Sequence, residues 1–150
     1  MAAVLLLAVL MLCWRTPGRR KRPRRPTVPK DPSLVLVTGY CSCGECCGWE
    51  RGLFGFGEPV HSVGPQKGRP KRVGVTASGT MATNGTIAAD TRLYPFGTRL
   101  HVPGYGTGTV EDVGGSIRGR HIDVWFPTHE AARRWGARWL KVKPVAATRP

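Results

Sequence analysis

The end of one predicted strand, a glycine-rich loop and a second predicted strand form the stretch Glu111-Asp112-Val113-Gly114-Gly115-Ser116-Ile117-Arg118-Gly119-Arg120-His121-Ile122-Asp123-Val124-Trp125-Phe126. The segment from Gly106 to Asp112 alternates in polarity, and the segment from His121 to Phe126 is rich in β-branched and aromatic residues. An aspartate beside apolar strand residues is most often a turn residue or the partner of an arginine. Asp112, Asp123 and, further upstream, Asp90 all stand in such places, and three together favour a shared functional site.

Further short strands are predicted on both sides of this stretch, with turn-forming residues such as Asn84-Gly85 between them. These strands cover Leu34 to Tyr40, Val73 to Thr80, Thr86 to Ala89, Arg99 to Pro103 and Trp139 to Val145. One short helix is expected where Thr128 caps residues 129–135 and Gly136 ends them. The pattern predicts a mainly β fold, a small closed barrel of about six strands with one short helix.

The charge is large but unevenly placed. The net charge is +14, and residues 15–30 carry eight basic side chains and no acidic one. From Pro32 onward, 15 basic and 8 acidic residues leave +7. Such a balance suits a polyanionic partner, which includes nucleic acid, anionic lipid and the acidic polymers of a cell wall. No RNA-binding signature or aromatic-interleaved basic stripe accompanies it, so no nucleic-acid partner is expected.

The N-terminal region divides into two segments ahead of the folded domain. Residues 1–14 contain the apolar run Ala2 to Leu12, which is too short to span a membrane but has the length of a signal-peptide core. Residues 15–32 are a basic linker rich in Pro and Arg, and residues 33–150 form the domain. We therefore expect export to the periplasm, cell envelope or exterior. The alternatives are a wrongly assigned start and a weak membrane anchor, whose following basic run would stay on the cytoplasmic side. As an anchor, the N-terminal segment would tether the protein to the membrane or wall.

Four cysteines, Cys41, Cys43, Cys46 and Cys47, lie within seven residues. Cys43 and Cys46 have the inner spacing of a zinc knuckle, but no second pair or histidine follows at the usual distance. In an exported protein, two local disulfides are the favoured interpretation, and a metal site is the alternative. We expect no metal and no cofactor.

Five ordered motifs surround the three aspartates: Thr86-Ile87-Ala88-Ala89-Asp90, Pro95-Phe96-Gly97-Thr98-Arg99-Leu100, Val102-Pro103-Gly104-Tyr105-Gly106, Glu111-Asp112-Val113-Gly114-Gly115-Ser116-Ile117-Arg118-Gly119 and Ile122-Asp123-Val124-Trp125-Phe126. Together they resemble the 3D domain, a family named for its three aspartates, over about residues 76–145. The resemblance implies a double-psi β-barrel similar to the catalytic barrel of membrane-bound lytic transglycosylase A.

The resemblance also implies site residues and a reaction. Asp123 is expected to be the single acid and base that cleaves the MurNAc-GlcNAc β-1,4 bond of peptidoglycan and yields 1,6-anhydro-muramoyl products. Asp112 and Asp90 are expected to complete the catalytic group by raising the pKa of Asp123 and holding the glycan. The predicted substrate-binding residues are Thr76, Ser78, Gly114, Gly115 and Arg118. The alternatives are a non-catalytic module that binds wall glycan, and a hydrolase or metal-dependent enzyme.

Overall fold

A computed structural model describes residues 27–52 and 55–146, and the described part is mainly β, as expected. The strands are β1 (Val35–Tyr40), β2 (Trp49–Arg51), β3 (Pro59–His61), β4 (Thr86–Ala89), β5 (Arg99–Val102), β6 (Gly106–Asp112), β7 (His121–Trp125), β8 (Ala137–Leu140) and β9 (Lys143–Pro144). The helices are α1 (Gly44–Cys47) and α2 (His129–Trp135). The signal-like segment 1–14 and most of the linker lie outside the described residues. No described helix has the length and hydropathy of a membrane span.

Seven strands form one mixed sheet in the order β8-β1-β7-β4-β6-β5-β9, and β2 pairs with β3 in a separate hairpin. The pairs β1·β7 and β4·β6 are parallel, whereas the other pairs of the large sheet are antiparallel. The predicted small closed barrel of six strands is not confirmed for the described residues, because the sheet has seven strands and β8 and β9 are its two edges. The double-psi topology stays a prediction.

Alternation along the strands sorts their side chains into a core and a polar face. In β7, Ile122 and Val124 are fully buried, whereas Asp123 between them is on the other face and only partly covered. The core consists of Val35, Val37, Ile87, Ala89, Leu100, Val102, Val110, Ile122, Val124 and Trp135. Successive side chains of a strand point to opposite faces. Because Ile122 and Val124 point into the core, Asp123 between them must point to the other face.

Two predicted strands differ from the structure. The segment from Val73 to Thr80 forms turns with only an isolated bridge, because Gly74 and Gly79 adopt φ values of 78° and 92° that reverse the chain. The last predicted strand is split, since β8 pairs with β1 and β9 pairs with β5 at the other edge of the sheet. The helix after Thr128 is confirmed: Thr128 Oγ1 accepts from Ala131 N at 3.1 Å.

We predict that Gly108 of β6 cannot be replaced without loss of stability. An alanine Cβ there would overlap the Gly85 carbonyl oxygen and lie 2.8 Å from Ile87 Cδ1. Gly108→Ala should therefore lower the free energy of unfolding by about 1–3 kcal/mol, measured by urea denaturation. The control is Gly115→Ala, where an added Cβ meets nothing within 4 Å. Equal stability of the two variants would contradict the close backbone approach of β4 and β6.

Candidate active site

Four residues form a row across four adjacent strands of the sheet, β1, β7, β4 and β6. Thr38 of β1 is the register partner of Asp123 in β7, and Asp123 is the partner of Ala88 in β4. Ala88 is also the partner of Asp112 in β6, next to a register shift. Register partners project from the same face of a sheet, so the two aspartates flank the Ala88 methyl group. The small side chain leaves open space between the carboxyl groups.

The Asp123 carboxyl group is partly covered on the β1 side and faces the cleft on the other. Burial raises its pKa to about 6, with a further contribution from the negative charge of Asp112, while a hydrogen bond from Thr38 opposes the rise. Thr38 Oγ1 donates to Asp123 Oδ1 at 2.9 Å. Burial disfavours the ionised form of a carboxyl group, whereas a donated hydrogen bond favours it. Asp123 is thus an acid that holds its proton to near pH 6.

His121 extends this hydrogen-bond chain. Its Nε2 lies 2.9 Å from Thr38 Oγ1. Because the single hydroxyl hydrogen of Thr38 points to Asp123, Nε2 is assigned as the protonated nitrogen that donates to Thr38. The chain from His121 through Thr38 to Asp123 therefore orients the acidic group from the β1 side.

Asp112 is fixed by three donors. Its Oδ1 accepts from the backbone N–H of Ala77 at 3.0 Å and of Val113 at 2.9 Å, and its Oδ2 accepts from the Tyr40 hydroxyl at 3.1 Å. Burial, and then the Asp112 carboxylate, raise the pKa of Tyr40 above its usual value, so the phenol remains a donor. Asp112 is therefore a rigid carboxylate beside the acid.

Both carboxyl groups open into one cleft of about 640 Å³. Tyr40 and Ala88 lie with them on the sheet side, the Gly114-Gly115 loop forms one wall, and α1 forms another. The cleft is lined by Tyr40, Ser42, Gly44, Glu45, Cys46, Cys47, Gly48, Ser62, Val63, Lys71, Arg72, Gly74, Val75, Ala82, Ala88, Asp112, Val113, Gly114, Gly115, Ser116, Ile117 and Asp123. Its volume is in the range of pockets that bind small ligands or a few sugar rings.

The structure does not bring Asp90 into this cleft. Its carboxylate accepts from Arg92 Nε at 3.0 Å and Arg92 Nη2 at 2.7 Å, and from the Gly119 backbone N–H at 2.9 Å. These bonds, with the Arg92 side chain first, hold the pKa of Asp90 well below its usual range. Asp90 thus tethers the loop that enters β7, which differs from the catalytic role predicted from the sequence.

Thr76, Ser78 and Arg118, three of the predicted substrate-binding residues, bond to other residues of the domain and do not line the cleft. Thr76 is buried, and its hydroxyl bonds to those of Ser78 at 3.0 Å and Thr80 at 2.8 Å. Arg118 Nη1 donates to the carbonyls of Gly114 and Ile117, both at 2.9 Å. Thr76 and Ser78 therefore shape the turn that presents Ala77 N to Asp112, and Arg118 closes the glycine loop.

The four cysteines of the described region are free thiols, so the expected disulfides are not formed. Cys41 Sγ lies 3.8 Å from Cys46 Sγ, well beyond a disulfide bond length of about 2.05 Å. Three of these cysteines, Cys41, Cys43 and Cys46, instead converge on His129, and the three sulfurs and one ring nitrogen all lie within 4.8 Å of one another.

The thiols of this cluster differ in pKa. Burial raises the pKa of Cys46 to about 12. Burial also acts to raise the pKa of Cys43, but hydrogen bonds from the Cys46 N–H and from neighbouring side chains outweigh it and lower that pKa to about 7.

Sequence reasoning missed Thr38, Tyr40, His121 and His129. Thr38 and Tyr40 alternate with the core residues Val35 and Val37 in β1, and this alternation was the available signal, but their partners are 85 and 72 residues away, respectively. No local pattern distinguishes such a hydroxyl from an ordinary strand residue.

Comparison with known proteins confirms the resemblance. Residues 85–145 match the model of the 3D domain, so this part of the chain is similar to that family. It is 40% identical over 74 residues to YabE of Bacillus subtilis, whose name describes a candidate cell wall shaping protein, and 39% identical over 74 residues to the cell wall-binding protein YocH of the same organism. Each match covers 47% of this chain but only 18% of YabE and 26% of YocH.

Among solved structures, the chain is similar to MltA of Escherichia coli, described as having a lytic transglycosylase fold. The identity is 24%, the TM-score is 0.40, and the match covers 52% of this chain and 30% of MltA. A structure of E. coli MltA with bound chitohexaose matches at 24% identity and a TM-score of 0.35, over 55% of this chain and 30% of that one.

We predict that Asp123 destabilises the fold as the pH rises. Its folded pKa of about 6 exceeds the ordinary value of 3.8, so ionisation favours the unfolded chain between these values. Asp123→Asn should therefore gain on the order of 2 kcal/mol relative to wild type between about pH 4 and pH 7.5. Urea denaturation at the two pH values measures this gain, and Glu58→Gln, an exposed site, is the control. A pH-independent difference between wild type and Asp123→Asn would contradict the raised pKa.

Proposed function

We propose that this domain is a peptidoglycan lytic transglycosylase that cleaves the MurNAc-GlcNAc β-1,4 bond with Asp123 as its only acid and base. The observation that carries the proposal is a partly covered carboxyl group with a pKa of about 6 in a cleft beside a second, fixed carboxylate. An acid with such a pKa is protonated in about a tenth of molecules at pH 7, against fewer than about one in a thousand for an ordinary aspartic acid, and proton donation to a leaving group requires this protonated form. The protein would thus act at the cell wall.

The proposed reaction uses one carboxyl group twice. Protonated Asp123 donates its proton to the glycosidic oxygen as the bond between that oxygen and C1 of MurNAc breaks. The resulting Asp123 carboxylate then accepts the proton of the MurNAc C6 hydroxyl while O6 bonds to C1. The acid is regenerated, and the product is a 1,6-anhydro ring. The usual glycosidase needs a second carboxyl group as nucleophile or base, and this route does not.

The residues around Asp123 have positioning roles in this proposal. Asp112 raises the pKa of the acid, and its negative charge lies where it stabilises positive charge that develops at C1. The Gly114-Gly115 loop permits close approach of the glycan backbone, because Gly115 has open space where a side chain would stand. Asp90, Thr76, Ser78 and Arg118 hold the loops that carry these groups.

The relatives support a cell wall substrate. One is named for wall binding and the other for wall shaping, and each matches 74 residues of this chain at 39–40% identity. The net charge of +7 from Pro32 onward suits retention on an anionic wall. We extend the proposal to location: the protein acts in the cell envelope or outside the cell. The double-psi barrel remains part of this proposal as the fold that presents the site.

A second candidate is a module that binds wall glycan without cleaving it. The name of YocH, a cell wall-binding protein, is the observation that favours it. The same cleft serves both functions, and only product formation separates them.

We predict that the wild-type protein releases 1,6-anhydro-muropeptides from purified peptidoglycan, and that Asp123→Asn releases none above background. Mass spectrometry of the soluble products measures this, because anhydro products are one water lighter than hydrolysis products. Glu58→Gln is the control, and a pelleting assay follows wall binding by each protein. Hydrated products would contradict the transglycosylase in favour of a hydrolase, and equal binding by all variants with no products would leave the binding module.

The pH profile of cleavage gives a separate prediction. Activity should fall about tenfold per pH unit above about pH 6, because the initial proton donor is then ionised. Thr38→Val removes a hydrogen bond to the ionised form and should shift this limb to higher pH. Asp112→Asn removes a negative charge and should shift it to lower pH. The rate of product release across the pH range measures the shifts, and shifts of the same sign would contradict the assigned environment.

A further inference from the structure

We propose that Cys41, Cys43, Cys46 and His129 form a structural zinc site that holds one wall of the cleft. The expectation of no metal is thus replaced, in this proposal, by a closed site with four protein ligands. Three thiolates and one imidazole are a ligand set typical of structural zinc. The proposal rests on the cysteine cluster alone and does not depend on the reaction at Asp123.

The distances match those of a tetrahedral site. Zn–S bonds of about 2.3 Å and Zn–N bonds of about 2.0–2.1 Å place two sulfurs about 3.8 Å apart, and a sulfur and a nitrogen about 3.6 Å apart. Cys41 Sγ lies 3.8 Å from Cys46 Sγ. His129 Nδ1 lies 3.4 Å from the sulfurs of Cys43 and Cys46, and 3.9 Å from that of Cys41. One imidazole nitrogen therefore faces three sulfurs at the spacing that a shared ion imposes.

Local structure explains why these side chains meet. Cys41 directly follows β1, Cys43 is the N-cap of α1, and Cys46 lies within α1. His129 is the first residue of α2, which packs on β1. The fold thus supplies the fourth ligand 83 residues after Cys46, far outside the spacing of a zinc knuckle.

The surroundings of the cluster are those of ligands rather than of ordinary thiols. The Cys46 backbone N–H donates to Cys43 Sγ at 3.5 Å and so fixes the position of this sulfur at the start of α1. On the outer side of His129, buried Nε2 has no hydrogen-bond partner, and Glu45 Oε2 is 3.3 Å away without hydrogen-bond alignment. A small rotation of exposed Glu45 would let Nε2–H donate to it. Such a carboxylate commonly orients a metal-binding histidine.

The position of Cys47, the remaining cysteine of the motif, favours a metal site over two disulfides. Cys47 Sγ donates to the Cys41 carbonyl oxygen at 3.2 Å and is outside the cluster of ligand atoms. Two disulfides would require all four cysteines equally, whereas the structure selects three of them and a histidine. Cys47 is therefore the natural control for any test.

A bound ion would connect the end of β1, the helix α1 and the start of α2. Residues of α1, including Glu45 and Cys46, line the cleft that holds both carboxyl groups. A four-residue helix has too few internal hydrogen bonds to be stable alone. The ion would thus fix this wall of the cleft. Because four protein ligands leave no open position, the role is structural.

The test is zinc content of the full chain purified with a reducing agent. We expect one zinc per chain by native mass spectrometry and elemental analysis, and retention of zinc in Cys47→Ser. Cys43→Ser and His129→Ala should each lower zinc affinity at least tenfold. Cobalt in place of zinc should give the intense visible bands of tetrahedral thiolate coordination. Removal of zinc by a chelator should lower the thermal midpoint by about 5 °C or more.

Three results would overturn the proposal. The first is a fully reduced, folded chain that binds no zinc at a several-fold excess of the metal. The second is equal loss of zinc in Cys47→Ser and Cys43→Ser. The third is a chain that is 4 Da lighter than the reduced mass and free of metal, which would indicate two disulfides. Circular dichroism of each variant establishes that it is folded. Zinc content is measured without glycan cleavage, so failure here and failure of the proposed reaction are distinguishable.

Discussion

The parallel pairing of β1 with β7 is the constraint on which the rest of the site depends. It places Thr38 opposite Asp123 and buries the neighbouring Ile122 and Val124 in the core. A shift of one residue would turn Asp123 into the core and expose those apolar side chains, at a large cost in free energy. The hydrophobic core therefore specifies the register, and the register specifies where the carboxyl group lies. Alternate residues of β7 thus stabilise the core, through Ile122 and Val124, and supply the carboxyl group of the cleft, through Asp123.

The strand β1 serves two parts of the molecule at once. Thr38 and Tyr40 hold the two carboxyl groups, and the next residue, Cys41, belongs to the cysteine cluster. Opposite them, β4 contributes only the methyl group of Ala88, which leaves space between Asp123 and Asp112. Polar contacts thus come from one neighbouring strand and open volume from the other. This asymmetry gives Asp123 a buried side and a side that faces the cleft.

The sequence predicted what local patterns determine. The strand from His121 and the helix capped by Thr128 follow from side-chain periodicity and capping over a few residues. Asp112 and Asp123 were found because acids are conspicuous among apolar strand residues. The structural role of Asp90 was not predicted, because its pairing with Arg92 and with the Gly119 N–H depends on where a later loop lies. The open sheet and the convergence of His129 on the cysteines were missed for the same reason: both depend on contacts between distant segments.

The hydrogen bond between Thr38 and Asp123 joins residues 85 positions apart. Closing so long a loop has an entropic cost that must be met before the contact contributes any stability, and domains rich in such contacts fold slowly. During synthesis, β1 has no partner among the described strands until β7 has emerged, since β7 and β8 are its neighbours in the sheet. The buried acid is therefore assembled among the last events of folding, and a chain that ends before β7 has neither the carboxyl group nor the strand that positions it.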